Sequence, residues 1–305
     1  MRIVLIGAVE STAVTFQALC EHGVTPVAVF GLLPELGHRH SDLVDIAGMA
    51  DAMNVPFVGV RSINDADVVA RIEALDPDWL IVVGWSQICG ERLLAVPRVG
   101  SIGYHPSALP KLRGRAVLAW TILLGLKRTA GTLFSLAPGV DSGDILAQHA
   151  FDLDERETLP SLIAKHMAAL RSMWAEIMPR LAAPLPGMKQ DDGKASYCAK
   201  RTAADGLIDW SREAVDIDRL IRAVTHPYPG AFGWLRGSKL TIWEATIWAG
   251  PTYHGSPGQI VARHEQGLVI TCANGTALLA TKWDWPDLAS RNGKVPVGER
   301  IVLAQ

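Results

Sequence analysis

Short apolar runs alternate with amphipathic stretches of helical period through the first half of the chain. Strands joined by crossover helices leave this pattern, so a doubly wound α/β unit with a mostly parallel sheet is predicted. Strands are expected at 2–6, 26–30, 56–58, 79–83, 101–104, 132–136 and 145–151. Ser11 or Thr12 caps a predicted helix that ends near His22, before Gly23, and Ser41 caps one that ends at Met53. A longer helix is predicted over 158–181, capped by Thr158, with Leu162, Met167, Leu170 and Trp174 on its apolar face.

At 182–187 the run Ala-Ala-Pro-Leu-Pro-Gly breaks both periods, and the polar stretch 189–194 follows it, so a linker is placed there. Two domains are expected, 1–188 and 189–305 with the linker included. Past Arg201 the texture changes: six of the ten tryptophans fall there, and β-rich segments at 239–243, 268–272 and 277–281 are separated by Gly, Pro and Asn. After one helix at 214–224, this predicts a small β-barrel.

Composition narrows the function classes. The 305 residues are 49% hydrophobic and 20% charged, enough for a sizeable core, and the formal net charge of -2 provides no field that would gather nucleic acid or an anionic membrane. No apolar segment is long enough to span a bilayer. The four cysteines, Cys20, Cys89, Cys198 and Cys272, are far apart and lack metal-ligand spacing, which suits free thiols in a reducing, cytoplasmic compartment.

Two clusters carry candidate chemistry. Tyr104-His105-Pro106-Ser107-Ala108-Leu109-Pro110, then Arg113-Gly114-Arg115, directly follow a predicted strand, at the carboxyl edge where ligands bind in an open parallel sheet. His105 there is a candidate proton acceptor. In Pro138-Gly139-Val140-Asp141-Ser142-Gly143-Asp144-Ile145, a glycine-bounded turn between two strands, Asp141 is placed to orient that imidazole; a β-turn selected for its geometry alone accounts for the same residues.

Together, His-Pro-Ser-x-Leu-Pro with Arg-Gly and then Gly-Val-Asp-Ser-Gly-Asp-Ile resemble the folate-dependent formyltransferase domain. Methionyl-tRNA formyltransferase, glycinamide ribonucleotide formyltransferase and the sugar N-formyltransferases share it. Ile6-Gly7-Ala8-Val9-Glu10 is similar to the family's first turn. Asp205-Gly206-x-Ile208-Asp209-Trp210, Ile221-Arg222-Ala223 and Pro227-Tyr228-Pro229-Gly230-Ala231-Phe232 resemble its C-terminal domain. The resemblance implies a Rossmann-like formyltransferase domain followed by an OB-like barrel. It makes His105 and Asp141 catalytic, with a substrate amine attacking the formyl carbon of 10-formyltetrahydrofolate, an oxyanion forming, and no metal. It also implies a pterin lying along Val83, Trp85, Gln87 and Ile88, with Leu109, Val140, Asp141 and Asp144 beside the cofactor. Glu10, Ser11, Ser107, Arg113 and Arg115 are expected on the substrate side.

The family carries Asn two residues before the His, where this chain has Gly103. Three readings follow: Gln87 supplies the missing oxyanion donor, protonated His105 or a backbone N–H does so, or the chain binds folate without transferring its formyl group. For the acceptor, eleven Lys or Arg against ten Asp or Glu from Arg201 onward argue against tRNA. The run His40-Ser41-Asp42-Leu43-Val44-Asp45, with Asn54-Val55-Pro56 and Ser62-Ile63-Asn64 after it, looks like a segment of the sugar-nucleotide enzymes, although helix capping explains Ser41 equally well. The expectation is a nucleotide-linked amino sugar, with a methionyl-tRNA or other small-amine acceptor as the alternative. The C-terminal part is expected to hold the nucleotide, form a homodimer or brace the first domain.

Overall fold

Ile3, Val4, Leu5 and Ile6 are all fully buried, as a parallel strand covered on both faces requires. The structure is a computed structural model and describes residues 1–39, 42–291 and 293–303. The regular elements begin with β1 (Ile3–Ile6), α1 (Glu10–Glu21), β2 (Ala28–Leu32), α2 (Ile46–Ala52), β3 (Phe57–Val60), α3 (Ala66–Ala74), β4 (Trp79–Val82), α4 (Glu91–Leu94) and β5 (Gly100–His105). They continue with β6 (Arg113–Gly114), α5 (Val117–Leu123), β7 (Arg128–Ser135), β8 (Ile145–Asp152), α6 (Leu159–Ile177) and β9 (Tyr197–Cys198). Last come α7 (Ala214–Val224), β10 (Ala231–Leu235), β11 (Ser238–Ile247), β12 (Ile260–His264), β13 (Gly267–Thr271) and β14 (Ala277–Asp284).

The chain divides into two compact units. The first comprises 1–117, 128–152 and 163–199; the second comprises 118–127, 153–162 and the described part of 200–305. The stretch 189–199, expected as part of the second domain, falls in the first unit because β9 pairs in parallel with β6 and Met188 exchanges two backbone hydrogen bonds with Ile145.

In the first unit seven strands form one sheet in the order β3-β2-β1-β4-β5-β7-β8. The five strands from β3 to β5 run parallel, and β7 and β8 are added antiparallel. Side chains alternate along each strand and so serve opposite faces. Ile3, Leu5, Val29 and Ile81 meet Phe16 and Leu19 of α1 and Leu170, Met173 and Trp174 of α6, while Val4, Ile6, Phe30 and Leu80 meet Val68, Val69 and Ile72 of α3.

The strand order reverses between β1 and β4, and the loops after these strands cross closely. Ala8 donates its N–H to the Gly84 carbonyl at 3.2 Å, and the Thr12 hydroxyl donates to the Val83 carbonyl at 2.7 Å. A Cβ on Gly7 would run into that carbonyl and into Thr12, so only glycine admits the crossing. This use of Thr12 corrects the expected cap: α1 starts one residue before Ser11, its N-cap is Val9, and Thr12 accepts the Val9 N–H from the third helical position. Ser41, the expected cap of the next helix, lies outside the described residues. That helix, α2, opens at Ile46, and the Asp45 carboxylate accepts from the Gly48 N–H at 2.8 Å.

The second unit holds an antiparallel five-stranded sheet in the order β10-β11-β14-β13-β12. Antiparallel bridges from Val302 to Trp234 on β10, and from Arg300 to Gln259 just before β12, tie its two outer strands together. Within this unit Asp218 of α7 is buried and accepts from Arg222 at 2.9 Å and Arg156 at 2.8 Å. No described helix is long and apolar enough to cross a membrane.

Candidate active site

His105 is the last residue of β5, at the carboxyl edge of the sheet, opposite Thr132 on β7. Its imidazole is buried, and Nε2 lies 2.7 Å from the Leu112 carbonyl oxygen. A carbonyl only accepts, so Nε2 carries the hydrogen and Nδ1 is the nitrogen left to bind or release a proton. Nδ1 lies 3.4 Å from Oδ2 of Asp141, whose side chain is 22% exposed. That carboxylate is fixed in turn by the Gly114 N–H, which donates to Oδ2 at 2.8 Å.

Backbone geometry produces this convergence. Asp141 sits at φ +48°, a left-handed conformation that aspartate tolerates better than most residues. Gly114 sits at φ +102°, and a Cβ there would lie 2.6 Å from the Cys198 carbonyl oxygen. The loop after His105 is held to the antiparallel strands: the Thr132 hydroxyl donates to the Ser107 carbonyl at 2.6 Å, and the Gln148 amide donates to Thr132 Oγ1 at 2.8 Å and to the Leu109 carbonyl at 3.1 Å. On the neighbouring position of β5 the Tyr104 hydroxyl lies 2.9 Å from Nδ1 of His166. Burial, helped by the charge of His105, pushes the His166 imidazole down to about 3, so it stays neutral.

Several expected site residues have other partners. Gln87, expected to supply an oxyanion donor, donates its amide to the Arg61 carbonyl at 2.9 Å and accepts from the Ile63 N–H at 3.0 Å, so it braces the 61–63 segment. Arg113, expected on the substrate side, is 2% exposed, with its guanidinium on Gln190, Asp192 and Tyr197. Ser107 is fully buried and donates its hydroxyl to the Lys111 carbonyl, which removes it from the substrate side. Leu109 packs with Phe134 and Ile145, and Val83 is buried with its carbonyl on Thr12, so neither side chain forms an open wall.

Other expected residues are accessible. Glu10, Ile88, Val140 and Arg115 are exposed, and Trp85 and Asp144 are half-buried. Ser11 is buried against Gly84. The fit to a flat heteroaromatic donor rests on the loop after β4, where the Trp85 indole N–H is buried without a partner and Ile88 stays 76% exposed. Opposite Phe134, a Cβ on Gly103 would lie 2.6 Å from Leu136 and 3.1 Å from the Phe134 ring, so apolar side chains fill the space beside that glycine.

Sequence reasoning missed the Leu112 carbonyl, the Gly114 N–H and Gln190. Gly114 stands in the Arg-Gly pair that the sequence singled out, whereas nothing in the sequence pattern marks Gln190. Among the described residues no group of three His, Cys, Asp or Glu could hold a metal ion.

Comparison with known proteins adds independent findings. A family model described as formyl transferase matches residues 22–176, and one described as formyl transferase, C-terminal domain, matches 200–287. A methionyl-tRNA formyltransferase of Geotalea uraniireducens (strain Rf4) is 32% identical over 282 residues, covering 92% of this chain and 89% of that protein. Among solved structures, the sugar 3N-formyl transferase WlaRD with dTDP and 5-N-formyl-THF superposes with a TM-score of 0.68 at 17% identity, covering 92% of this chain and 97% of the other. The N-formyltransferase from Helicobacter canadensis, in complex with folinic acid and dTDP-3-aminofucose, gives 0.66 at 15% identity, covering 92% and 98%.

Proposed function

Because the chain belongs to the formyl transferase family, we propose that it transfers a formyl group from 10-formyltetrahydrofolate to the amine of a small acceptor, a nucleotide-linked amino sugar. When bound, the folate supplies an electrophilic formyl carbon, and Trp85, Ile88 and Val140 are the residues that would line its ring. The observation that carries the reading is the His105 arrangement. The Leu112 carbonyl keeps a hydrogen on Nε2, so Nδ1 takes the proton that the attacking amine releases; the imidazolium, facing the Asp141 carboxylate at 3.4 Å, then returns that proton to the folate nitrogen as its bond to the formyl carbon breaks. With glycine at 103 and the Gln87 amide tied to the 61–63 segment, the same imidazolium is the group left to balance negative charge on the formyl oxygen.

Charge pairing in the second unit favours a small acceptor. Arg212, Arg219, Arg222, Arg236 and Lys282 each sit against a carboxylate of that unit, and so they offer little to a phosphate backbone. A second reading, a methionyl-tRNA acceptor, is favoured by the 32% identity that runs through both units. One assay separates the two. The protein is incubated with 10-formyltetrahydrofolate and either a panel of nucleotide-linked amino sugars or methionyl-tRNA, and the mass gain of one formyl group is sought on each acceptor. A gain on a sugar is the expected result. A gain on tRNA alone transfers the assignment to the second reading, and folate binding without product in either arm overturns the catalytic role.

A further inference from the structure

Backbone groups on both loops around the His105–Asp141 pair bond to one segment, 188–198. Met188 exchanges backbone hydrogen bonds with Ile145, just past the Asp141 turn. Further on, Ser196 accepts the Arg113 N–H at 2.8 Å through its carbonyl and the Leu112 N–H at 2.9 Å through its hydroxyl, and β9 then pairs with β6. The segment therefore touches both loops that build the site: the turn bearing Asp141, and the stretch 112–114 whose Leu112 carbonyl and Gly114 N–H orient the two reacting groups.

One side chain in it contacts both loops. The Gln190 amide nitrogen donates to the Asp141 carbonyl at 2.8 Å and to the Gly143 carbonyl at 2.6 Å, while its oxygen accepts from Arg113 Nε at 3.2 Å and Nη2 at 2.8 Å. All four polar positions are used in the only sense an amide allows, both N–H groups on carbonyls and the oxygen on a guanidinium. We propose that Gln190 is the positioning residue of the reaction, setting the 3.4 Å separation between His105 and Asp141 by holding the Asp141 turn and β6 in one frame. It touches neither of the two reacting side chains.

This inference rests on the catalytic reading above, so its test has a readout apart from turnover. In the full chain Gln190→Met keeps length and removes both donors, and Gln190→Glu keeps the oxygen for Arg113 but sets a carboxylate against two carbonyls. Both should lower kcat about a hundredfold, the scale expected for a misplacement of about 1 Å, with KM for the folate changed only a few-fold. Hydrogen exchange at the Gly114 amide, which reports its bond to Asp141, should accelerate in both variants while amides of β1 and β4 keep their protection. Wild-type kcat with unchanged Gly114 exchange in Gln190→Met overturns the proposal, as does full rescue by Gln190→Glu. If the unmodified protein forms no product with any acceptor, the exchange measurement still decides: acceleration supports the frame, and unchanged protection overturns it.

Discussion

Nδ1 of His105 lies 3.4 Å from Oδ2 of Asp141, although one residue ends a parallel strand and the other occupies the turn before the outermost strand of the same sheet. The Leu112 carbonyl, which accepts from Nε2, and the Gly114 N–H, which donates to Oδ2, come from one short stretch of backbone and set which nitrogen and which oxygen face each other.

Asp141→Asn tests the charge of that carboxylate with little disturbance, because asparagine also accepts the left-handed conformation at this position. Turnover is expected to fall by about a hundred- to ten-thousandfold, the range for loss of general acid–base assistance, with a thermal midpoint close to that of the unmodified protein. Initial-rate kinetics alongside calorimetry check it.

Gly114→Ala should be costly on two counts. Its φ of +102° strains any residue with a side chain, and the new Cβ would meet the Cys198 carbonyl at 2.6 Å. A loss of about 1–3 kcal/mol in denaturant unfolding is expected, together with a drop in kcat as the N–H on Asp141 moves.

Gly103→Asn should destabilise the protein by about 1–3 kcal/mol through overpacking against Leu136 and Phe134. The nearest obstruction is the end of the Leu136 side chain, so Leu136→Ala in the same chain should return part of that loss. Unfolding midpoints of the single and double variants decide this; equal midpoints would place the obstruction at Phe134.

The pH dependence of stability should carry the mark of His166. Burial keeps this imidazole neutral in the folded chain down to about pH 3, whereas in the unfolded chain it takes a proton near pH 6.5. Between those limits the unfolded state binds the extra proton, so the stability present above pH 6.5 is lost on acidification, by roughly 1.4 kcal/mol per pH unit. His166→Gln should flatten unfolding free energy against pH by about one proton across this window, as measured by chemical denaturation at several pH values.

Much of the scaffold was legible because its signals are local. A run such as Ile3–Ile6 reads as a strand wherever it occurs, and 214–224 was predicted with the bounds that α7 has. His105 and Asp141, which the structure brings within 3.4 Å, were singled out because each stands in a distinctive cluster at a strand end. Arg113 and the stretch 189–194 were misread for a common reason: an arginine and a polar run both resemble surface until they meet. Once Arg113 lies against Gln190 and Asp192, a charge can be buried and the supposed linker becomes part of the first unit. Gln87 failed similarly, since its partners at 61–63 come from another loop and leave no periodic trace.

In the second unit Arg300 and Val302 reach the neighbourhood of β12 and β10 long after both strands have been made, while Leu207, made earlier, already bridges Phe232 on β10. Translation must therefore reach residue 300 before the outer edge of β12 is covered. A nascent or truncated product stopping short of that point would display an unsatisfied ladder of backbone donors and acceptors along β12, able to recruit another chain.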